Sequence, residues 1–196
     1  MLIISDIHGC YWTLRRLLRK CPDEPVVFAG DLVDRGPFSR EVVEFAMEQR
    51  IPTVLGNHDH MMLSYLQRTQ AYSETDWTFN GGLQTLGSWN DHIPDEVVAW
   101  FSELPIFLQY GTLLVSHTGH GLLGEADLIT ALWEREFAFP DDGLYRVFGH
   151  TRQREAVVTK TYACIDTGAA YGGKLTALRW PAMTLYQQPY DESALT

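Results

Sequence analysis

Cysteine is scarce in this 196-residue chain: Cys10, Cys21 and Cys164 are odd in number, far apart and in no CxxC pair. That pattern excludes a disulfide framework and a zinc knuckle and suits a reducing compartment. Long apolar runs are missing too; no stretch approaches the ~18 residues a membrane span requires. The opening Met1-Leu2-Ile3-Ile4-Ser5-Asp6 lacks a basic segment followed by an apolar one, so no export leader, no membrane partner and a cytoplasmic location are expected. There is no repeat, low-complexity tract or Gly/Ser linker to divide the chain. Basic residues are few, 15 Lys and Arg against 25 Asp and Glu for a net charge of -10. A nucleic-acid scaffold is therefore not an expected partner, because nonspecific backbone binding depends on clustered cations. A bound metal ion would invert that charge locally.

What is present is enough apolar material, 45% of residues, to bury a core, and the length fits a single domain over 1–196. Short runs rich in β-branched or aromatic residues predict strands at 2–4, 26–29, 53–55, 113–115, 146–148, 162–165 and 175–179. Helical patterns fall at 12–20, 39–49, 60–68, 94–102 and 125–135, with Ser39 placed to cap the second. Strands alternate with helices, so the class is α/β.

Five of the strand candidates run into a short polar loop: SDIHG, GDLVDRG, GNHDH, SHTG and GHT. Ligand sites in α/β sheets lie beyond the carboxyl ends of strands, so these loops can converge on one crevice. Asp6 and His8 are two residues apart at a strand end, where the alternation of a strand would point both the same way. Asp31 holds the equivalent place after the next strand, and a carboxylate can bridge two metals. Asn57, His117 and His150 mark the remaining loops, and His8, His58, His117 and His150, four of the seven histidines, are the site candidates that these loops carry. Carboxylate, imidazole and amide oxygen without thiolate suit Mn, Fe, Co or Zn. Two such ions about 3.5 to 4 Å apart make a hydrolytic site.

Together DIHG at 6–9, GDLVDRGP at 30–37, GNHD at 56–59, SHTG at 116–119 and FGHT at 148–151 resemble the calcineurin-like metallophosphoesterases. More narrowly they resemble the phosphoprotein phosphatase branch in its compact bacterial and phage form. The resemblance implies a four-layer sandwich of two mixed β-sheets flanked by helices. It also implies two divalent metal ions, Mn foremost: Asp6, His8 and a bridging Asp31 hold one, and Asp31, Asn57, His117 and His150 the other. Arg35 would grip phosphate oxygens. LWERE at 132–136 resembles a segment carrying a second such arginine, here Arg135, whose alternative is a helical arginine paired with Glu134 or Glu136. Metal-activated hydroxide would attack phosphorus in line, with His58, oriented by Asp34, protonating the leaving group.

The fourth loop departs from the family's more usual His-Ala-Gly: Thr118 puts a hydroxyl near metal or substrate. His120 and His92 read as loop and surface residues and Cys10 as a buried thiol, while Asp59 suits the dipole of the following helix. His60 is open between a first-turn helix residue and a substrate-side group. The implied substrate is a phosphoprotein or small phosphoester. The ending IDTGAAYGGKLTALRW at 165–180 also resembles the symmetrical diadenosine tetraphosphate hydrolases, which carry a longer insertion than the 32 residues between His117 and His150 here. A metal-free interaction module with this fold is the remaining reading.

Overall fold

The apolar runs condense into two mixed sheets. In the computed structural model, which describes residues 1–69, 71–120 and 128–194, the strands are β1 Leu2–Ile4, β2 Val26–Phe28, β3 Phe107–Tyr110, β4 Leu113–Ser116, β5 Tyr145–Phe148, β6 Val157–Val158, β7 Tyr162–Cys164, β8 Lys174–Arg179 and β9 Thr184–Pro189. One sheet has the order β2-β1-β8-β9 and the other β3-β4-β5-β7-β6. The helices are α1 Tyr11–Lys20, α2 Ser39–Glu48, α3 Asn57–Gln67, α4 Glu74–Trp77, α5 Leu83–Ser88, α6 Asp95–Ser102 and α7 Leu128–Trp133, with a π-turn over Thr78–Gly82 and a 3-10 turn over Ala169–Tyr171.

Strand alternation sorts the core into two layers. Ile3, beside Val27 and Leu178, points between the sheets and meets Leu113, Val115, Val147, Ala163 and Ile165. Ile4, beside Phe28 and Ala177, points the other way, into the layer where Leu14 and Leu17 of α1, Val42 and Val43 of α2, Met61 and Met62 of α3 and Phe101 of α6 are buried. The period of two thus gives one residue to each layer. Outside the second sheet, Phe148 of β5 packs against Phe137 and Phe139, and both rings also touch Tyr162 of β7.

β1 and β2 run parallel, and so do β4, β5 and β7. Their polar loops converge at one edge spanning both sheets. The expected strand at 53–55 is reduced to a single parallel bridge, Thr53 beside Phe28, because Leu55 N–H already turns away to the Pro105 carbonyl. β3 and β9 escaped the apolar reading: β3 is half-exposed, and β9, with Gln187, Gln188 and Pro189, draws its order from six paired positions along β8.

Two boundaries differ in ways that matter for the site. α3 starts at Asn57, three residues ahead of the expected 60, so Asn57 and His58 stand in its first turn. Helix 125–135 is observed as Leu128–Trp133, so Arg135 follows the helix; residues 121–127 lie outside the described residues. Ser39 does not cap α2. Its hydroxyl accepts the Asp34 N–H at 3.2 Å instead and meets Thr85 Oγ1 at 3.2 Å.

Candidate dinuclear metal centre

Asp6, His8, Asp31, Asp34, Arg35 and His150 all have positive φ, between 47° and 75°, and account for six of the eleven such non-glycine residues. The expectation that strand alternation aligns Asp6 with His8 is therefore corrected: β1 ends at Ile4, and left-handed turns bring the two side chains together. Asp and His tolerate this region better than most residues, and each costs of order 1–3 kcal/mol to hold there. Backbone bonds from Asp6 N to Gly30 O, His8 N to Asp31 O and Gly9 N to Leu32 O tie the first two loops together.

Each imidazole is aimed by a second bond. His8 Nδ1 donates to the Val33 carbonyl at 2.8 Å and His117 Nδ1 to the Ala29 carbonyl at 3.0 Å, so Nε2 of both turns inward. Both Nε2 atoms stand 3.4 Å from Asp31 Oδ2, and His8 Nε2 is 3.9 Å from Asp6 Oδ1. Asn57 Oδ1 lies 2.9 Å from His117 Nε2 and 3.0 Å from His150 Nδ1. The six residues expected to hold two metals thus come together, all buried.

Such a cluster of acceptors requires positive charge. Burial works against charging His117, but the Asp31 and Asp6 carboxylates outweigh it and push its pKa up to about 10. On the other side the Arg35 guanidinium donates to His8 Nε2 and, at 2.7 Å, to His58 Nε2. Cations therefore suit both positions, and the donors fit divalent ions: ligand atoms of His8, Asp31 and His58, and of Asp6, Asp31 and His117, lie within 4.8 Å of one another. Asp31 belongs to both groups. Burial opposes its ionisation, yet the His117 and His58 imidazoles hold it well below the ordinary carboxylate range. Burial, the His117 charge and the Arg135 guanidinium together push His150 down to about 3, against the pull of Asp31.

His58 differs from the other imidazoles in its orienting partner. Its Nδ1 donates to Asp34 Oδ2 at 2.7 Å, and Asp34, fully buried, also accepts Trp77 Nε1–H at 2.9 Å and Thr85 Oγ1–H at 2.7 Å.

The family description "Calcineurin-like phosphoesterase" matches residues 1–174. The chain belongs to that family. It is 31% identical to "Serine/threonine-protein phosphatase 1" of Salmonella typhimurium, over 90% of each chain, and 28% identical to "Bis(5'-nucleosyl)-tetraphosphatase PrpE [asymmetrical]" of Bacillus subtilis, over 97% of this chain and 96% of the relative. Its fold overlays that of "a putative diadenosine tetraphosphatase" with a TM-score of 0.76 at 24% identity, covering 98% and 94% of the two chains. It also overlays a protein serine/threonine phosphatase from Saccharomyces cerevisiae with a TM-score of 0.60 at 15% identity, covering 100% and 80%.

Within this phosphoesterase, the expectations for Arg135 and Thr118 change, while those for His120, His92 and Cys10 hold. Arg135 is exposed, and its side chain makes no ion pair with Glu134 or Glu136 among the described residues. Thr118 Oγ1 does not face the metal groups but donates to the Ala131 carbonyl at 2.7 Å, pinning α7. His120 is a loop residue that packs on Phe139 and reaches the Glu136 carbonyl, and His92 is exposed. Cys10 is buried.

Asp59 is more than a dipole partner. Its carboxylate accepts N–H bonds from Gly56 (3.0 Å), Asp31 (2.9 Å), Leu32 (3.0 Å) and Val33 (3.4 Å), which fixes the loop of the bridging carboxylate. Asp166, after β7, is another buried acid that the loop pattern overlooked, although DTG at 166–168 repeats the strand-then-polar-loop signal. Its charge, after burial itself, raises the Asp6 pKa. His60, left open by the sequence, accepts the Tyr72 O–H at 3.0 Å. Tyr72 accepts Trp133 Nε1–H at 2.8 Å, and the Trp133 carbonyl accepts His150 Nε2–H at 3.4 Å. A chain of bonds thus runs from α3 to the ring of His150.

Proposed function

We propose that this metal-dependent phosphoesterase is a phosphomonoester hydrolase acting on phosphoserine or phosphothreonine in proteins, with manganese as the metal at both positions. The observation that carries the hydrolytic reading is the Asp31 carboxylate shared between two buried ligand groups, with the Arg35 guanidinium at their edge. Asp6, His8 and Asp31 would hold one ion, and Asp31, Asn57, His117 and His150 the other. Such ions supply Lewis-acid stabilisation of phosphoryl charge and lower the pKa of an attacking water. Arg35, moving from the two imidazoles to the substrate, forks onto phosphate oxygens by charge-assisted bonds. Asp34 holds the His58 ring so that Nε2 faces the same space, where its proton passes to the leaving alkoxide. Arg135, without an ion pair among the described residues and close enough for its charge to lower the His150 pKa, adds a second positive charge at the rim.

Two observations support a protein substrate: the activity for which the Salmonella relative is named, and Phe79 and Leu83, 86% and 61% exposed, which flank the Gly81 backbone packed on Arg35 and offer an apolar lip to a peptide. A second reading, hydrolysis of a dinucleoside polyphosphate, is supported by the Bacillus relatives, which are named for the asymmetrical activity and not the symmetrical one suggested by the sequence ending. The test is a Mn-supplemented comparison of a phosphoserine peptide, p-nitrophenyl phosphate and diadenosine tetraphosphate, run with wild type and His58→Ala. The phosphopeptide is expected to have the highest kcat/KM, and His58→Ala to lower kcat about 10² to 10⁴-fold with Mn still bound. Preference for diadenosine tetraphosphate would establish the second reading; a chain that binds no Mn and hydrolyses none of the three would overturn both.

A further inference from the structure

Beyond the metal groups the positive charge continues along one exposed ring. Tyr171, on the 3-10 turn after β7, is 59% exposed, yet two guanidinium groups lie over it: the Arg35 carbon at 4.9 Å and the Arg152 carbon at 4.3 Å from its centroid. Arg35 reaches back to His8 and His58, so the ring of Tyr171 connects the metal edge to Arg152.

Arg152 is exposed and has no acidic partner among the described residues. It is nevertheless placed. Its backbone is stapled on both sides, by the Cys164 thiol at the end of β7 donating to the Thr151 carbonyl at 3.3 Å and by Gln153 N–H donating to the carbonyl of Asp166, just after β7, at 2.9 Å. Its aliphatic stem lies in the notch at Gly168, where a Cβ would stand 2.7 Å from Arg152 Cδ and where φ is 73°. A side chain other than glycine there would push the guanidinium off the ring. A cation held against an aromatic face, over a fixed loop and with no carboxylate to neutralise it, is organised to receive an anion.

We propose that Arg152 and Tyr171 form a subsite for a second anionic group, carried by the substrate next to the phosphate gripped by Arg35. The assignment rests on the phosphoester-hydrolase reading of the metal centre and adds what the rest of the substrate must offer. Two sources share this chemistry: an acidic side chain next to a phosphoserine, and a neighbouring phosphate in a polyphosphate chain. Tyr171 acts as a positioning residue that holds both guanidinium groups on one surface.

The test uses paired substrates on the Mn-loaded chain: a phosphoserine peptide with glutamate in the next position against the same peptide with alanine, and diadenosine tetraphosphate against p-nitrophenyl phosphate. Arg152→Ala is expected to cut the kcat/KM preference for the doubly anionic member of a pair about five- to thirty-fold, the scale of one charge-assisted contact. Arg152→Lys should restore part of it. Tyr171→Phe should keep it and Tyr171→Ala lose it. The responding pair names the source of the anion. Calorimetric titration of pyrophosphate and of orthophosphate gives a readout independent of turnover, and Arg152→Ala should lower the ratio of the two affinities to a similar extent. Unchanged preferences in both pairs together with an unchanged affinity ratio would overturn the subsite. If the wild type hydrolyses nothing, the hydrolase reading fails by itself, and the pyrophosphate ratio still decides the role of Arg152.

Discussion

The protonation of His117 shows how a single residue can report on the whole centre. Without a metal its imidazole is charged, because Asp31 and Asp6 outweigh burial and raise its pKa to about 10. Ligation through Nε2 requires the neutral ring, since Nδ1 is committed to the Ala29 carbonyl. Binding at neutral pH must therefore expel a proton, and apparent affinity must rise as pH rises toward 10. Mn titrations in two buffers of different ionisation enthalpy should differ in heat by about one proton's worth for the one ion that His117 holds. Identical heats in both buffers would mean that His117 is not displaced from a charged state. The same residue illustrates what the sequence makes legible. Side-chain chemistry can be read at His117, Asp31 and Asn57, because ligand type and place after a strand are sequence properties. The bonds from Asp59 to four backbone N–H groups are not, because they join Gly56 to a loop some 25 residues earlier that only folding brings near.

At the scale of elements, the same distinction explains which boundaries shifted. Apolar periodicity located α3 from its buried Met61, Met62 and Leu63, but its first turn consists of polar residues that serve the site, so periodicity alone starts the helix late. The π-turn over Thr78–Gly82 carries no periodic signal at all, although it supports Arg35 directly. Gly81 has φ 113°, and a Cβ on it would lie 2.5 Å from Arg35 N and 2.9 Å from Arg35 Cγ. Gly81→Ala should displace Arg35, raising KM for p-nitrophenyl phosphate while leaving Mn affinity close to wild type. Gly87, exposed within α5 with nothing within 4 Å of its added Cβ, is the control. Gly87→Ala should stabilise the chain by about 0.4–1 kcal/mol through reduced freedom of the unfolded state. Steady-state kinetics and urea melts on the two variants measure both effects; equal KM values would show that the π-turn does not position Arg35.

At the scale of the whole molecule, the far end of the chain completes the helix next to the first metal loop. α1 follows the His8 and Gly9 turn, but Cys10 offers no side-chain cap and the first turn has no acidic residue. Glu192 supplies both from 180 residues away: its carboxylate accepts the N–H groups of Trp12 and Thr13, each at 3.0 Å, and the Thr13 hydroxyl at 2.5 Å. The Thr13 hydroxyl in turn accepts the Asp191 N–H at 2.9 Å, and Arg16 bonds the Asp191 and Ser193 carbonyls at 3.0 and 2.7 Å. An acid at this position satisfies orphan donors and meets the positive end of the helix dipole. Glu192→Ala should therefore destabilise the chain by about 1 kcal/mol, the usual cost of losing a cap. For a chain of this length that is a fall in Tm of roughly 2–4 °C. Glu192→Gln, which keeps an acceptor oxygen but not the charge, should fall between the two. The metal centre should keep its Mn affinity, because the His8 loop is held independently by the bonds from His8 N to Asp31 O and from Gly9 N to Leu32 O. Thermal melts with and without Mn separate the two effects. A Glu192→Ala variant with wild-type stability would show that α1 needs no cap from the tail, and one with weakened Mn binding would show that the tail and the first metal loop are coupled through α1.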